Sequence, residues 1–194
     1  MTRNGEPARL LVRGGSIAAG AGVARSYVDI IKDFCSSRNV EVINLSATGD
    51  NSFDGIWTFS KDIAPFAPDI LLIHFGVDDA FFPVYRSEFK ENLVRMVRSA
   101  RESFNPLIMM PTSHTFDDPY EMDAINIYYR TIREVCVDLG CELIPVHTYW
   151  AGYLQDHGMA NTHLVQKDAR LPNGRGHEVI AEAVLKPLDR ILNR

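Results

Sequence analysis

The sequence lacks the features that mark disulfide-stapled, membrane-spanning or nucleic-acid-binding proteins. Its 194 residues include only three cysteines, an odd number without Cys-x-x-Cys spacing, so neither a disulfide framework nor a zinc site is expected. No run of about 18 apolar residues could span a bilayer, and the stretch from Met1 to Leu11 does not resemble a signal peptide. The net charge of -5 offers no basic field to phosphate backbones, so nucleic acid is not an expected partner. These absences favour a cytoplasmic protein with free thiols.

What the sequence does contain is typical of a globular domain. Apolar residues make up 46% of the chain and charged residues 23%, which excludes disordered and fibrous classes. The chain is long enough to bury a full core, and it has no internal repeats or low-complexity segments. We therefore expect one domain over residues 1–194.

Short apolar runs alternate with amphipathic stretches along the chain, a pattern that predicts repeated strand–helix units. Five runs are predicted strands: Ala8 to Arg13, Val40 to Ser46, Asp69 to Phe75, Leu107 to Met110, and Cys141 to Val146. Four helices are predicted: Ser26 to Ser37, Phe89 to Ala100, Asp118 to Leu139, and a closing helix from about Gly176. This order predicts an α/β fold, a three-layer α/β/α sandwich around a five-stranded parallel sheet.

The loops after the predicted strands carry the polar residues of most interest. In an open parallel sheet, ligands bind beyond the carboxyl ends of the strands. The loops expected at that edge hold five such residues: Ser16, Gly49, Asp78, His114 and Asp168. Their convergence on one edge is the main functional signal that the residues give.

The glycine-rich segment from Gly14 to Gly22 has first to be considered as a phosphate site, because such a turn before a helix can cradle phosphate. It has neither a Gly-x-Gly-x-x-Gly pattern nor a Gly-Lys-Ser/Thr end, so no nucleotide cofactor is expected. A tight turn there would instead lift the Ser16 hydroxyl above the sheet, where a nucleophile is useful; the alternative is that Ser16 only caps the following turn. No metal is expected either, since the acidic and imidazole side chains have no spacing that forces a site.

Four segments, in order along the chain, resemble the sequence blocks of the SGNH/GDSL family of esterases. Leu11 to Gly20 is similar to the first block, where a Gly-Asp-Ser turn carries the nucleophilic serine, and Val42 to Asp50 is similar to the second. Pro68 to Asp79 resembles the third block, a strand that closes in Gly-x-Asn-Asp, and Asp168 to His177 aligns with the last, Asp-x-x-His-Pro-Asn-x-x-Gly-His. The resemblance spans almost the whole chain and implies the flavodoxin-like SGNH hydrolase fold.

The resemblance also implies chemistry for individual residues. It makes Ser16 the nucleophile, places Gly49 and Asp78 at the oxyanion-binding positions, and makes Asp168 the acid of the catalytic set. The implied reaction is hydrolysis or transfer of an O-acyl group, and the implied partner is a small-molecule or carbohydrate ester, without a cofactor.

Three positions depart from the family pattern. Gly15 stands where the family has aspartate, Asp78 where it has the oxyanion-binding asparagine, and Leu171 where it has the catalytic histidine. Losing one oxyanion donor typically costs ~2.7–4 kcal/mol in the transition state, although a protonated Asp78 would still donate. A serine without a base is a poor nucleophile, so the loss of the histidine is the most serious change.

Two other histidines are candidates for the missing base. His114 follows the fourth predicted strand, and His163 lies five residues before Asp168 on the final loop. The alternative for each is an imidazole with no catalytic role.

The departures leave hypotheses of different classes open. One is a serine esterase or acyltransferase with degenerate machinery, and another is a catalytically inactive binding or accessory protein with the same fold. A weaker third is general acid–base chemistry at the adjacent carboxylates of Asp78 and Asp79. Separately, Phe81-Phe82-Pro83 forms an apolar patch that is a candidate homodimer contact.

Overall fold

The computed structural model describes residues 6–82 and 84–193. Five strands form one sheet: β1 (Ala8–Gly14), β2 (Val40–Asn44), β3 (Ile70–His74), β4 (Leu107–Pro111) and β5 (Glu142–Ile144). Every neighbouring pair is parallel, the order is β2-β1-β3-β4-β5, and helices cover both faces. This is the flavodoxin-like strand order, and it confirms the predicted three-layer α/β/α architecture.

Nine α-helices connect and cover the strands in the part of the chain that the structure describes. They are α1 (Ser16–Ala19), α2 (Tyr27–Cys35), α3 (Ser52–Trp57), α4 (Phe59–Asp62), α5 (Val77–Phe81), α6 (Arg86–Ser103), α7 (Pro119–Leu139), α8 (Val146–His157) and α9 (Gly174–Leu192). The four predicted helices correspond to α2, α6, α7 and α9. Helix α8 and the short helices α1, α3, α4 and α5 were not predicted.

The local sequence explains where the main elements begin and end. All five residues of β3 are buried, as the continuous apolar run of a central strand requires. Helix α7 begins after Asp118, whose carboxylate accepts the N–H groups of Tyr120 and Glu121 at 2.8 and 3.0 Å. It ends at Gly140, whose φ of 60° is left-handed backbone that favours glycine.

The register of the sheet places the turns that matter at one edge. Gly14, at the end of β1, is paired with His74, at the end of β3, so the loops after these two central strands lie side by side. The loop after β2 lies on the other side of β1. Within residues 6–82 and 84–193, no helix has both the length and the apolar character to cross a membrane.

Candidate active site

Ser16 lies on a tight turn at the carboxyl edge of the sheet. It is the first residue of α1, directly after Gly14 and Gly15, and the Gly15 N–H donates to the His74 carbonyl at 3.3 Å. A Cβ on Gly14 would overlap that same carbonyl, so the close approach of the two turns requires glycine there. The Ser16 side chain is largely buried but lines a surface cavity. The turn thus holds the hydroxyl at the edge where ligands bind in this class of fold.

The Ser16 oxygen is held between the loops that follow β2 and β3. The Gly49 N–H donates to Ser16 Oγ at 2.9 Å, and the hydroxyl of Ser16 lies 2.6 Å from Asp78 Oδ1, to which it donates. The backbone N–H of Ser16 donates to Asp78 Oδ2 at 2.8 Å. The structure therefore brings together three of the residues predicted for the site, and it shows Asp78 accepting two hydrogen bonds from Ser16.

Asp78 sits in space that Gly15 leaves open. A Cβ on Gly15 would overlap Asp78 Oδ2 and the backbone carbonyl of Asp50. Burial raises the pKa of the Asp78 carboxyl above its usual range, while the hydrogen bonds from Ser16 and the charge of Arg170 act against that rise. The absence of a side chain at position 15 and the position of the Asp78 carboxylate are thus physically linked.

The neighbouring carboxylate, Asp79, faces away from Ser16 into the protein. It is fully buried and accepts the N–H groups of Ser52 at 2.9 Å and Gly76 at 3.0 Å. Burial raises its pKa to about 6. These contacts make Asp79 an anchor that ties the turn after β3 to the start of α3.

A buried arginine supports the loop that carries Gly49. Arg13, the residue before Gly14 on β1, is 1% exposed, and its guanidinium lies 2.7 Å from the Asp50 carboxylate. It also donates to Thr58 Oγ1 at 3.0 Å and lies 3.7 Å from the Asp62 carboxylate. Because Asp50 directly follows Gly49, this ion pair fixes the peptide whose N–H reaches Ser16. Arg13 is not among the residues that the sequence predicts for the site.

The cavity beside Ser16 has a volume of about 80 Å³ and a mixed lining. Its lining residues are Ser16, Val77, Asp78, Phe81, Phe82, Asp168, Arg170 and Leu171. Asp168 accepts from Arg170 Nε at 2.8 Å and Nη2 at 2.6 Å, and these bonds lower the pKa of the Asp168 carboxyl. Asp168, which the resemblance implies as the acid, thus pairs with an arginine, and Leu171 contributes apolar surface to the cavity.

Neither candidate histidine is hydrogen-bonded to Ser16. His114 is fully buried, with Nε2 donating to the Ala169 carbonyl at 2.8 Å and Nδ1 lying 3.0 Å from Ser113 Oγ. Burial lowers its pKa to about 4. His163 is exposed, and its Nδ1 lies 3.1 Å from the Ala160 carbonyl. A role for either as the base stays a prediction, which these contacts do not favour.

Comparison with known proteins places this geometry in a family. The GDSL-like lipase/acylhydrolase family matches the chain over residues 12–179. An arylesterase of Vibrio mimicus is 27% identical over 184 residues, which cover 93% of this chain and 88% of the relative. An acetylxylan esterase from Geobacillus stearothermophilus has a similar structure, with a TM-score of 0.82, 19% identity and 95% of each chain covered. The structure of an α/β hydrolase from the metagenome of Lake Arreo, Spain, is also similar, with a TM-score of 0.81 at 20% identity over 93% of this chain and 94% of that protein.

Proposed function

Because the chain belongs to the GDSL-like lipase/acylhydrolase family, we propose that it hydrolyses or transfers the acyl group of small O-acyl esters, with Ser16 as the nucleophile. One observation carries the proposal: the Ser16 oxygen is held by the Gly49 N–H and the Asp78 carboxylate beside a cavity at the carboxyl edge of the sheet. Nucleophilic catalysis needs a hydroxyl with a proton acceptor and a nearby donor for the oxyanion, and these contacts supply both kinds of group.

The size and lining of the cavity favour a short acyl group. Its volume of about 80 Å³ is several times the ~10–15 Å³ that a cavity needs to hold one water molecule. Val77, Phe81 and Leu171 provide apolar surface next to Ser16. An acetyl ester of an aryl or carbohydrate alcohol is therefore the proposed substrate class, consistent with the arylesterase and acetylxylan esterase among its relatives.

A second candidate function is binding without hydrolysis. The Ser16 N–H, which the family directs at the oxyanion, here donates to Asp78, and the Gly49 N–H donates to Ser16 itself. With Leu171 in place of the family's histidine, the same cavity would then hold a small ligand without cleaving it. This alternative predicts binding that survives the loss of the hydroxyl.

The two functions differ in what removal of the hydroxyl does. We expect the purified protein to hydrolyse p-nitrophenyl acetate and acetylated xylo-oligosaccharides, and to react with a fluorophosphonate probe at Ser16. The Ser16→Ala variant should lose both activities, and p-nitrophenyl octanoate should be a poorer substrate than the acetate. Equal turnover by the wild-type protein and Ser16→Ala would contradict the esterase proposal.

A homodimer through the patch Phe81-Phe82-Pro83 stays a prediction. Both Phe81 and Phe82 line the cavity, but Phe82 is 61% exposed, and the ring of Phe81 packs against that of Phe116 with a centroid distance of 5.5 Å. Pro83 lies outside the described residues. Sedimentation velocity of the wild-type protein and of Phe82→Ser would show whether this side chain contributes to association.

A further inference from the structure

We propose that Asp78 is the general base for Ser16 in this chain, taking the hydroxyl proton directly where other family members use a histidine. The inference rests on the proposed esterase function and assigns its proton acceptor. It gives Asp78 a role opposite to that of the asparagine at this position in the family, which donates to the oxyanion.

The direction of the Ser16 proton is fixed by its two neighbours. The Gly49 N–H can only donate, so it uses one lone pair of Ser16 Oγ, at 2.9 Å. The single hydroxyl proton then points to Asp78 Oδ1, which lies 2.6 Å away and within the range required of a general base. One lone pair of Oγ remains for attack on an acyl carbon. The bonds therefore arrange the serine as a hydroxyl directed at a carboxylate.

The position of Asp78 does not depend on the Ser16 side chain alone. Its other oxygen accepts the backbone N–H of Ser16 at 2.8 Å, and the missing side chain of Gly15 leaves the space in which that oxygen lies. Two hydrogen bonds from one residue hold both carboxylate oxygens, so the carboxylate plane is fixed relative to Ser16 Oγ.

Opposing influences act on the Asp78 carboxyl. Arg170, which also lines the cavity, favours the carboxylate form, although two hydrogen bonds tie that guanidinium to Asp168. The charge of Asp78 in turn raises the pKa of its neighbour Asp79. Burial makes the carboxylate more basic than an aspartate in water, which improves proton transfer from a hydroxyl.

No other ionisable side chain hydrogen-bonds to Ser16 Oγ within residues 6–82 and 84–193. Leu171 occupies the position of the family's base and cannot accept a proton. Both ring nitrogens of His114 already have partners, and Nδ1 of the exposed His163 lies 3.1 Å from the Ala160 carbonyl. Asp78 is thus the acceptor that the geometry offers.

The proposed steps balance with water as the second substrate. As Ser16 Oγ bonds to the acyl carbon, its proton passes to Asp78 Oδ1 and the carbonyl electron pair moves onto the oxygen as an oxyanion. The ester C–O bond then breaks, and the leaving alkoxide takes the proton from Asp78. Water next attacks the acyl-serine and gives a proton to Asp78, and collapse releases the carboxylic acid while Asp78 returns the proton to Ser16.

Proton transfer to Asp78 also affects the oxyanion. A neutral carboxyl is a weaker acceptor than a carboxylate, so the bond from the Ser16 N–H to Oδ2 weakens when the proton arrives. That N–H is then available to the oxyanion together with the Gly49 N–H. Transfer of the Ser16 hydroxyl proton to Asp78 thus releases the Ser16 N–H to stabilise the oxyanion.

The test compares Asp78→Asn with the wild-type protein on p-nitrophenyl acetate, measuring kcat/KM from pH 5 to pH 9. Asparagine keeps the shape, and its carbonyl still accepts the Ser16 N–H, so the fold should persist; thermal unfolding checks this. General-base catalysis contributes about 10²–10⁴-fold, so we expect kcat/KM to fall at least 100-fold. In the wild-type protein, kcat/KM should fall at low pH as Asp78 is protonated; this acid limb should be absent from the activity that remains in Asp78→Asn. Asp156→Asn, at an exposed position on α8, controls for the loss of one negative charge.

Each outcome of this test decides a different statement. A folded Asp78→Asn protein with at least 100-fold lower kcat/KM and no acid limb supports Asp78 as the base. Ser16-dependent turnover that is equal or faster in Asp78→Asn overturns it and leaves the esterase proposal standing, since Asp78 would then be an obstacle in the oxyanion site. Wild-type turnover no greater than that of Ser16→Ala overturns both.

Discussion

Acidification to pH 5 is expected to destabilise the fold because three histidines are buried in neutral form. His74, His114 and His177 are each at most 4% exposed. Burial lowers the pKa of His74 to about 3 and those of His114 and His177 to about 4, from an ordinary value of 6.5. The hydrogen bonds agree: His177 Nδ1 accepts the backbone N–H of Tyr27 at 3.1 Å, which a protonated nitrogen cannot do.

The size of the effect follows from linkage between protonation and folding. Below pH 6.5 the unfolded chain binds a proton at each of these rings and the folded chain does not, so stability that is present above pH 6.5 is lost as the pH falls. Between pH 7 and pH 5 the loss is about 1.8 kcal/mol for each histidine. Burial raises the pKa of Asp79 to about 6. The folded chain therefore binds a proton at Asp79 between pH 7 and pH 5, which offsets about 1.3 kcal/mol of the loss in stability. The free energy of unfolding should therefore fall by about 4 kcal/mol, a large part of the ~5–15 kcal/mol typical of a domain.

Urea unfolding followed by tryptophan fluorescence at pH 7 and pH 5, at constant ionic strength, measures this difference. In His177→Asn the amide oxygen takes the position of Nδ1 and can still accept the Tyr27 N–H, but one buried imidazole is gone, so the fall should be smaller by about 1.8 kcal/mol. His163→Asn removes an exposed imidazole instead and serves as the matched control. A wild-type free energy of unfolding that changes by less than about 1 kcal/mol between the two pH values would refute the reasoning.

Three further substitutions test the geometry of the site. Gly15→Ala should lower the free energy of unfolding by about 1–3 kcal/mol because its methyl group overlaps the Asp78 carboxylate. Gly152→Ala is the control: a Cβ there meets nothing, so the free energy of unfolding should rise by about 0.5–1 kcal/mol. Urea denaturation measures both changes. Asp79→Ala should cost about 2–5 kcal/mol by the same assay, since two buried N–H groups lose their acceptor. Leu171→His combined with Asp78→Asn restores the family's residues and should raise kcat/KM on p-nitrophenyl acetate at least 10-fold over Asp78→Asn alone; no gain would show that the scaffold no longer accepts that machinery.

The sheet could be predicted from the sequence because its strands are buried apolar runs. The five predicted strands correspond to β1 to β5, with ends that differ by at most two residues. Helix α7 was predictable in detail because Asp118 and Gly140 mark its ends. Helix α8 was missed because it begins at Val146, two residues after β5 ends at Ile144, with no polar break between them. The short helices after β2 have too few residues for a periodic pattern.

Three of the residues predicted for the site lie in contact, but their hydrogen bonds were not predictable. The positions of Ser16, Gly49 and Asp78 at the ends of strands indicated that they meet, and they do. Nothing in the sequence showed that Asp78 accepts from Ser16, because hydrogen-bond direction depends on which groups face each other. Arg170 was missed since it occupies a variable position of the family's last block, and its pairing with Asp168 depends on the conformation of the loop.

His114 shows how an edge position can mislead. It follows β4 at the carboxyl edge, as predicted, but its ring packs against Phe116 and Trp150, with centroid distances of 4.6 and 5.2 Å. Trp150 belongs to α8, the helix that the sequence did not reveal. Because that helix covers the end of β4, the loop after this strand turns into the core. The position of a residue along a strand therefore predicts the edge but not whether the side chain reaches solvent.

The residues at positions 15 and 78 depend on each other in this site. The Cβ of an aspartate at position 15 would overlap the Asp78 carboxylate, and a second carboxylate so close to it would add like-charge repulsion. Conversely, an asparagine at position 78 beside Gly15 would leave Ser16 with a hydrogen-bonded amide but no carboxylate in contact. With Gly15 and Asp78 together, the carboxylate is not on the residue before the serine but accepts the hydroxyl proton of Ser16. Leu171 lines the same cavity as Ser16 and Asp78, and a serine that already has a proton acceptor does not depend on a histidine at that position.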